Sequence, residues 1–97
     1  MEDFLNQVIS INNQITDLQN QRNHLVTENS REILNRVFKM MDWRKDILST
    51  AMVEYSDFEK QIMITVWLKT DKNARYVFSL GKSGNPQLRF REDFSLK

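Results

Sequence analysis

"YVFSLGKSGNPQLRFR", residues 76–91, holds both glycines and the only proline of the 97-residue chain. It also contains Gly81-Lys82-Ser83, the closing tripeptide of a nucleotide-binding phosphate loop. Such a loop needs another glycine five residues before Gly81, a strand before it and a helix after it. Position 76 is Tyr, and Asn85-Pro86 is followed by "QLRFR" (87–91), which alternates with the period of a strand. With no helix N-terminus after the loop, no row of free N–H groups is available for a phosphate. Gly81, Gly84, Asn85 and Pro86 are the residues a turn needs, because they supply positive φ or a fixed φ. The stretch therefore reads as two strands joined by a hairpin loop with Lys82 at its tip.

The same period of two extends toward the N-terminus. In "QIMITVWLKT" (61–70), Ile62, Ile64, Val66 and Leu68 fall on one face, followed by Tyr76, Phe78 and Leu80, then by Leu88 and Phe90. "ILSTAMVEYSD" (47–57) alternates less regularly but is rich in β-forming residues. The connections "TDKN" and "GKSGNP" are short and polar, as hairpins require. From about Ile47 onward the chain is expected to form a four-stranded antiparallel meander with one apolar face in need of cover.

Before Ile47 the period is helical. Phe4, Val8, Ile11, Ile15 and Leu18 are spaced by four, three, four and three, the narrow seam of a coiled coil. The seam then weakens through Arg22, Leu25 and Asn29. Its flanks are Asn and Gln rather than Glu and Lys, so partner choice would rest on the seam and not on charge. Around residue 29 the stripe shifts and widens to Val26, Ile33, Val37 and Met40, with Leu34, Phe38 and Met41 beside it. Asn29 and Glu32 match a capping box that would start a second helix at Ser30; a single long helix with a stutter is the alternative. The expected fold is α+β: a coiled-coil-like helix, one long or two, then the meander packed on the second helical segment. Residues 1–29 form a helical oligomerisation arm and residues 30–97 the helix plus sheet. Trp43 is expected to close a corner of the core.

Composition narrows the function classes. With 40% hydrophobic and 28% charged residues, the chain is an ordinary globular domain. The absence of cysteine excludes disulfides, cysteine metal sites and thiol catalysis, and fits a reducing, cytoplasmic setting. No apolar run approaches the roughly 18 residues of a membrane span, and the acidic start "MEDFLNQ" is unlike a signal peptide. No membrane partner is therefore expected. A net charge of +1 gives the molecule no strong overall field. Residues 1–29 carry Glu2, Asp3, Asp17 and Glu28 against Arg22 alone, whereas residues 74–91 carry Arg75, Lys82, Arg89 and Arg91 and no acid.

Catalytic signals are thin. The single histidine, His24, lies on the amide-rich side of the first helix. No ligand spacing suggests a metal. Ser49, Thr50 and Ser79 have no base nearby in sequence, and Asp57 and Glu59 sit in a turn. Neither an enzyme nor a cofactor is expected. If Ile62 through Leu68 face the helices, the opposite face would gather Met63, Trp67, Lys69, Arg75, Arg89 and Arg91, with Lys82 at the hairpin tip. These readings point to a non-enzymatic binding or regulatory protein. It would be a homodimer or higher even oligomer, joined through Phe4, Val8, Ile11, Ile15, Leu18 and Leu25, and would present the aromatic-basic face to a protein partner. The alternative is that this face holds nucleic acid, single-stranded or RNA rather than duplex DNA.

Overall fold

The computed structural model describes residues 2–94; Met1 and residues 95–97, the outer ends of the two expected segments, lie outside the described residues. The chain forms α1 (Glu2–Glu28), α2 (Ser30–Met41), a 3-10 turn (Lys45–Ile47), β1 (Leu48–Ser56), β2 (Gln61–Leu68), β3 (Asp71–Leu80) and β4 (Pro86–Asp93). The strands form one antiparallel sheet in the order β1-β2-β3-β4, which is the expected meander, and the fold is α+β.

The helical part divides at Asn29, but not by the expected capping box. No side-chain cap bond is made there. The Asn29 side-chain amide instead donates back to the Leu25 carbonyl at 2.8 Å, and Glu32 pairs with Arg36 at 3.1 Å. The i to i−4 backbone ladder still crosses the junction, through Asn29 N–H to Leu25 O and Ile33 N–H to Asn29 O. What breaks regularity is the Asn29 ψ of 4°, against about −42° in a helix. The Ser30 hydroxyl donates to the Thr27 carbonyl at 2.8 Å and competes for the same turn.

α2 ends in a Schellman motif built on an aspartate. Asp42 adopts the left-handed conformation (φ 56°) and donates to Lys39 O, while Trp43 N–H reaches Phe38 O at 2.9 Å. The motif turns Trp43 back onto the core, where its ring meets Phe38, Tyr76 and Phe78 edge-on at centroid distances of 5.6, 4.9 and 5.9 Å. Ile33, Val37 and Phe38 of α2 lie buried against Ile64, Val66, Leu68 and Phe78, with Leu34, Met41, Ile62, Tyr76 and Leu80 packed around them. Met40, expected in the stripe, is exposed, because the stripe centres on the side shared by residues 33, 37, 34 and 38.

Each of the three strand pairs has one register shift: between Val66 and Leu68 in the β2–β3 pair, where Leu68 meets Asp71, and at a single extra residue in each of the other two. Leu48 pairs with Leu68 but Thr50 with Trp67, so Ser49 is bulged out of β1. This explains the irregular alternation of residues 47–57: Leu48 and then Ala51 and Val53 share the core side. In β4, Leu88 pairs with Phe78 but Phe90 with Val77, which leaves Arg89 as the extra residue. The hairpin between β3 and β4 closes through Gly84 N–H to Gly81 O at 3.0 Å. Gly84 has φ 79°, and a Cβ there would stand 2.9 Å from Arg36 Nη1. That guanidinium donates to the Gly84 carbonyl and fastens the loop to α2. The Gly-Lys-Ser segment is thus a hairpin loop followed by a strand.

Candidate functional site

α1 has 27 residues and, at about 1.5 Å per residue, a length of about 40 Å. It accounts for the 60 Å longest dimension of the chain. Only its C-terminal end meets the body. Val26 is buried there. The Arg22 guanidinium lies 4.2 Å over the Tyr55 ring and 3.1 Å from the Asp57 carboxylate. Residues 2–21 are all exposed.

Phe4, Val8, Ile11, Ile15 and Leu18 therefore form one bare apolar line, and with Leu25 they are 40–64% exposed. Leu25 stands apart, beside a groove that it shares with Ile62 and Leu80 at the body. Leu5 and Ile9 widen the line at its tip and are equally exposed. Their spacing of four, one residue after Phe4 and Val8, was the available signal. His24 faces solvent and pairs with Glu28 at 2.7 Å.

The sheet face turned away from α2 differs from the expected one. Residues paired directly across antiparallel strands share a face. Met63, Thr65 and Trp67 lie on it, as expected, with Arg75, Val77 and Ser79 of β3. The bulge at Arg89 shifts the alternation by one, so Phe90 joins this face opposite Val77 and Arg91 moves to the core side opposite Tyr76. Thr50 (opposite Trp67), Met52 (opposite Thr65), Glu54 (opposite Met63), Gln87 (opposite Ser79) and Glu92 (opposite Arg75) complete the face. Arg75 donates to Glu92 at 2.7 Å and lies 5.8 Å from the Phe94 ring. Met52, Met63, Trp67, Val77, Phe90 and Phe94 thus form a largely apolar surface with one ion pair, Arg75–Glu92, and the exposed Glu54 on edge strand β1. Its centre is shielded by neighbouring side chains, leaving Val77 7% and Ser79 2% exposed.

The expected cluster of cations is dispersed. Lys69 is exposed beyond the end of β2, and Lys82 is exposed in the β3–β4 loop at the other end of the sheet. Arg89 sits exposed on the bulge of edge strand β4. Arg91 is held on the opposite face: its guanidinium donates to Asp71 at 2.8 Å and to the Tyr76 hydroxyl at 3.2 Å, and lies 3.3 Å from the Asp93 carboxylate. The Arg91 hydrogen bond, joined by that of Tyr76, holds the Asp71 carboxyl below its usual value. The same pairing raises the Arg91 pKa further. This network was missed because Asp71 is 20 residues from Arg91 in sequence, and both the bulge at Arg89 and the register shift between Val66 and Leu68 are needed to turn them to one side.

A groove between α2 and the start of β1 is lined by Leu34, Phe38 and Leu48 with Arg31, Asn35 and Lys45 at its rim. Among the described residues no group of three or more His, Cys, Asp or Glu side chains could hold a metal ion, and no helix is long and apolar enough to cross a membrane. Comparison with protein-family models, with curated proteins and with solved structures finds no match for this chain.

Proposed function

We propose that this chain is a non-enzymatic binding protein of regulatory or accessory type. It works as a homo-oligomer joined through α1, with the open sheet face available to a second, protein partner. One observation carries the reading: α2 finds cover for its apolar stripe within its own chain, and the α1 seam does not. Burying a side chain of this size fully contributes about 1.5–3 kcal/mol. These side chains are about half exposed, so each of the five retains a substantial part of that gain for a partner. A narrow seam, widened only at its tip by Leu5 and Ile9 and otherwise flanked by polar residues, matches another helix better than a sheet.

Sedimentation of the intact chain beside an Ile11→Asp, Ile15→Asp double variant tests the reading. The intact chain is expected to sediment as a dimer or higher even oligomer at micromolar concentration, and the variant as a monomer. A monomeric intact chain would overturn it. For the sheet face, a protein occupant is favoured over nucleic acid because the cations a phosphate backbone requires are either dispersed or paired with Glu92, Asp71 and Asp93. Affinity capture on the intact chain, with and without nuclease, separates the two: retained protein that survives nuclease supports a protein partner, and retention lost with nuclease reverses the preference.

A further inference from the structure

We infer, resting on the self-association proposed above, that the arms of two copies pair antiparallel, with Ile11 of one against Ile15 of the other, so that each acidic arm tip lands on the other copy's body beside the β1–β2 turn.

The first argument is azimuth. At about 100° per residue, 18 residues complete five turns, so Arg22 points the same way as Phe4. Val8, Ile11, Ile15 and Leu18 lie within about 40° of that direction. Arg22 is also where the body begins, stacked on Tyr55 and paired with Asp57. The bare seam therefore faces the side of the helix on which the body lies. In a parallel pair the two-fold axis would run along the seam, and both bodies would have to occupy that axis after residue 22. An antiparallel pair sends the bodies to opposite ends and removes the conflict.

The second argument is register. Antiparallel helices set a seam residue of one class (Val8, Ile15) against the other class (Phe4, Ile11, Leu18). Placing Ile11 against Ile15 also sets Val8 against Leu18 and Phe4 against Arg22, which covers all five seam residues. Sliding one heptad further apart sets Leu18 against position 1, outside α1 (Glu2–Glu28). Sliding one heptad further together drives each helix into the other body. The flanking columns, Gln7, Gln14 and Gln21 on one side and Leu5, Asn12 and Gln19 on the other, are uncharged and do not select an orientation by charge.

The third argument is what waits at the landing place. Glu2 and Asp3 open α1 and are exposed, next to the apolar Phe4 and Leu5. At the body, a groove lined by Leu25, Tyr55, Ile62 and Leu80 has Lys60 and Lys82 at its rim. Neither lysine makes an ion pair among the described residues, and neither do Glu2 and Asp3. Phe58, on the β1–β2 turn, is 93% exposed, the most of any large apolar side chain described. An apolar, acidic tip thus meets an apolar groove with a cationic rim.

The chain has no cysteine, so single labels can be placed cleanly. Asn6→Cys, Asn13→Cys and Asn20→Cys occupy one column opposite the seam, and spin labels on each would report the label-to-label distance within the oligomer. The expected pattern is the shortest distance at residue 13, with longer and mutually equal distances at 6 and 20, whose labels are offset by about 21 Å along the axis. Equal distances at all three positions would mean parallel arms and overturn the inference while leaving self-association standing. No dipolar coupling at any position, with monomeric sedimentation, would overturn both. For the tip contact, Lys60→Glu with Lys82→Glu is expected to weaken association at least tenfold at low salt. Adding Glu2→Lys with Asp3→Lys to the same chain should recover it. An affinity unchanged by the lysine reversals would overturn the tip contact.

Discussion

α2 lays Ile33, Val37 and Phe38 under the sheet, while α1 carries Phe4, Val8, Ile11, Ile15 and Leu18 in solvent. Both helices are amphipathic and adjoin at Asn29, yet their apolar faces have different widths. The α2 face is broad, including Leu34 and Met41 beside the main line, and a broad face spreads over a sheet. The α1 face is a narrow line, widened only at its tip by Leu5 and Ile9, and suits a second helix. The same hydrophobic effect therefore stabilises one helix through the fold and is left available for assembly in the other.

That difference is tested most strongly in the body. Phe78 is fully buried beneath α2 and Trp43. Phe78→Ala is expected to destabilise the fold by about 3–5 kcal/mol, read as a lower denaturation midpoint with loss of the near-ultraviolet signal of Trp43. In the arm, Ile11→Asp with Ile15→Asp should abolish association and leave that Trp43 signal intact. If the arm variant lost the signal, arm and body would be one cooperative unit and the comparison would fail. A smaller effect is expected at the hinge between helix and core: Asp42 holds φ 56°, a conformation that glycine adopts without strain. Asp42→Gly should stabilise the body by about 0.5–1 kcal/mol in urea melts, with sedimentation unchanged.

The smallest expected effect concerns acid. Asp71 is held below its ordinary value of 3.8, chiefly by Arg91. A carboxyl depressed in the folded state contributes stability above its unfolded value, and that contribution is lost as pH falls through the folded value. Asp71→Asn should therefore lower the urea midpoint near neutral pH, and its gap to the parent should narrow as pH drops below about 4. A gap that is constant with pH would show that the Arg91 pairing is not what makes Asp71 matter.

Much of the architecture was legible in the chain: the meander, the hairpin at Gly81–Gly84, the placing of Trp43 and the bare seam all follow from period and turn chemistry. β2 and β4 show where legibility ends. Ile62, Ile64, Val66 and Leu68 alternate, and β2 keeps its register through Val66, so the expected face is the observed one. Leu88 and Phe90 alternate in the same way, yet they lie on opposite faces because Arg89 is bulged. A bulge formed by Ser49 or Arg89 has no composition of its own. With it went the placing of Arg91, Phe90 and Glu92, and hence the character of the open face.

Sequence by itself determined the elements and their order, because backbone preference, side-chain period and turn residues act over a few neighbouring positions. It also determined that α1 would have an apolar line with neutral flanks. Only the tertiary structure decided which way that line faces relative to the body, which face of the sheet receives each β4 side chain, and which cations are paired. Those outcomes depend on strand register and on contacts between residues such as Arg22 and Asp57 or Asp71 and Arg91, 35 and 20 positions apart, where a single extra residue in one strand reverses the result.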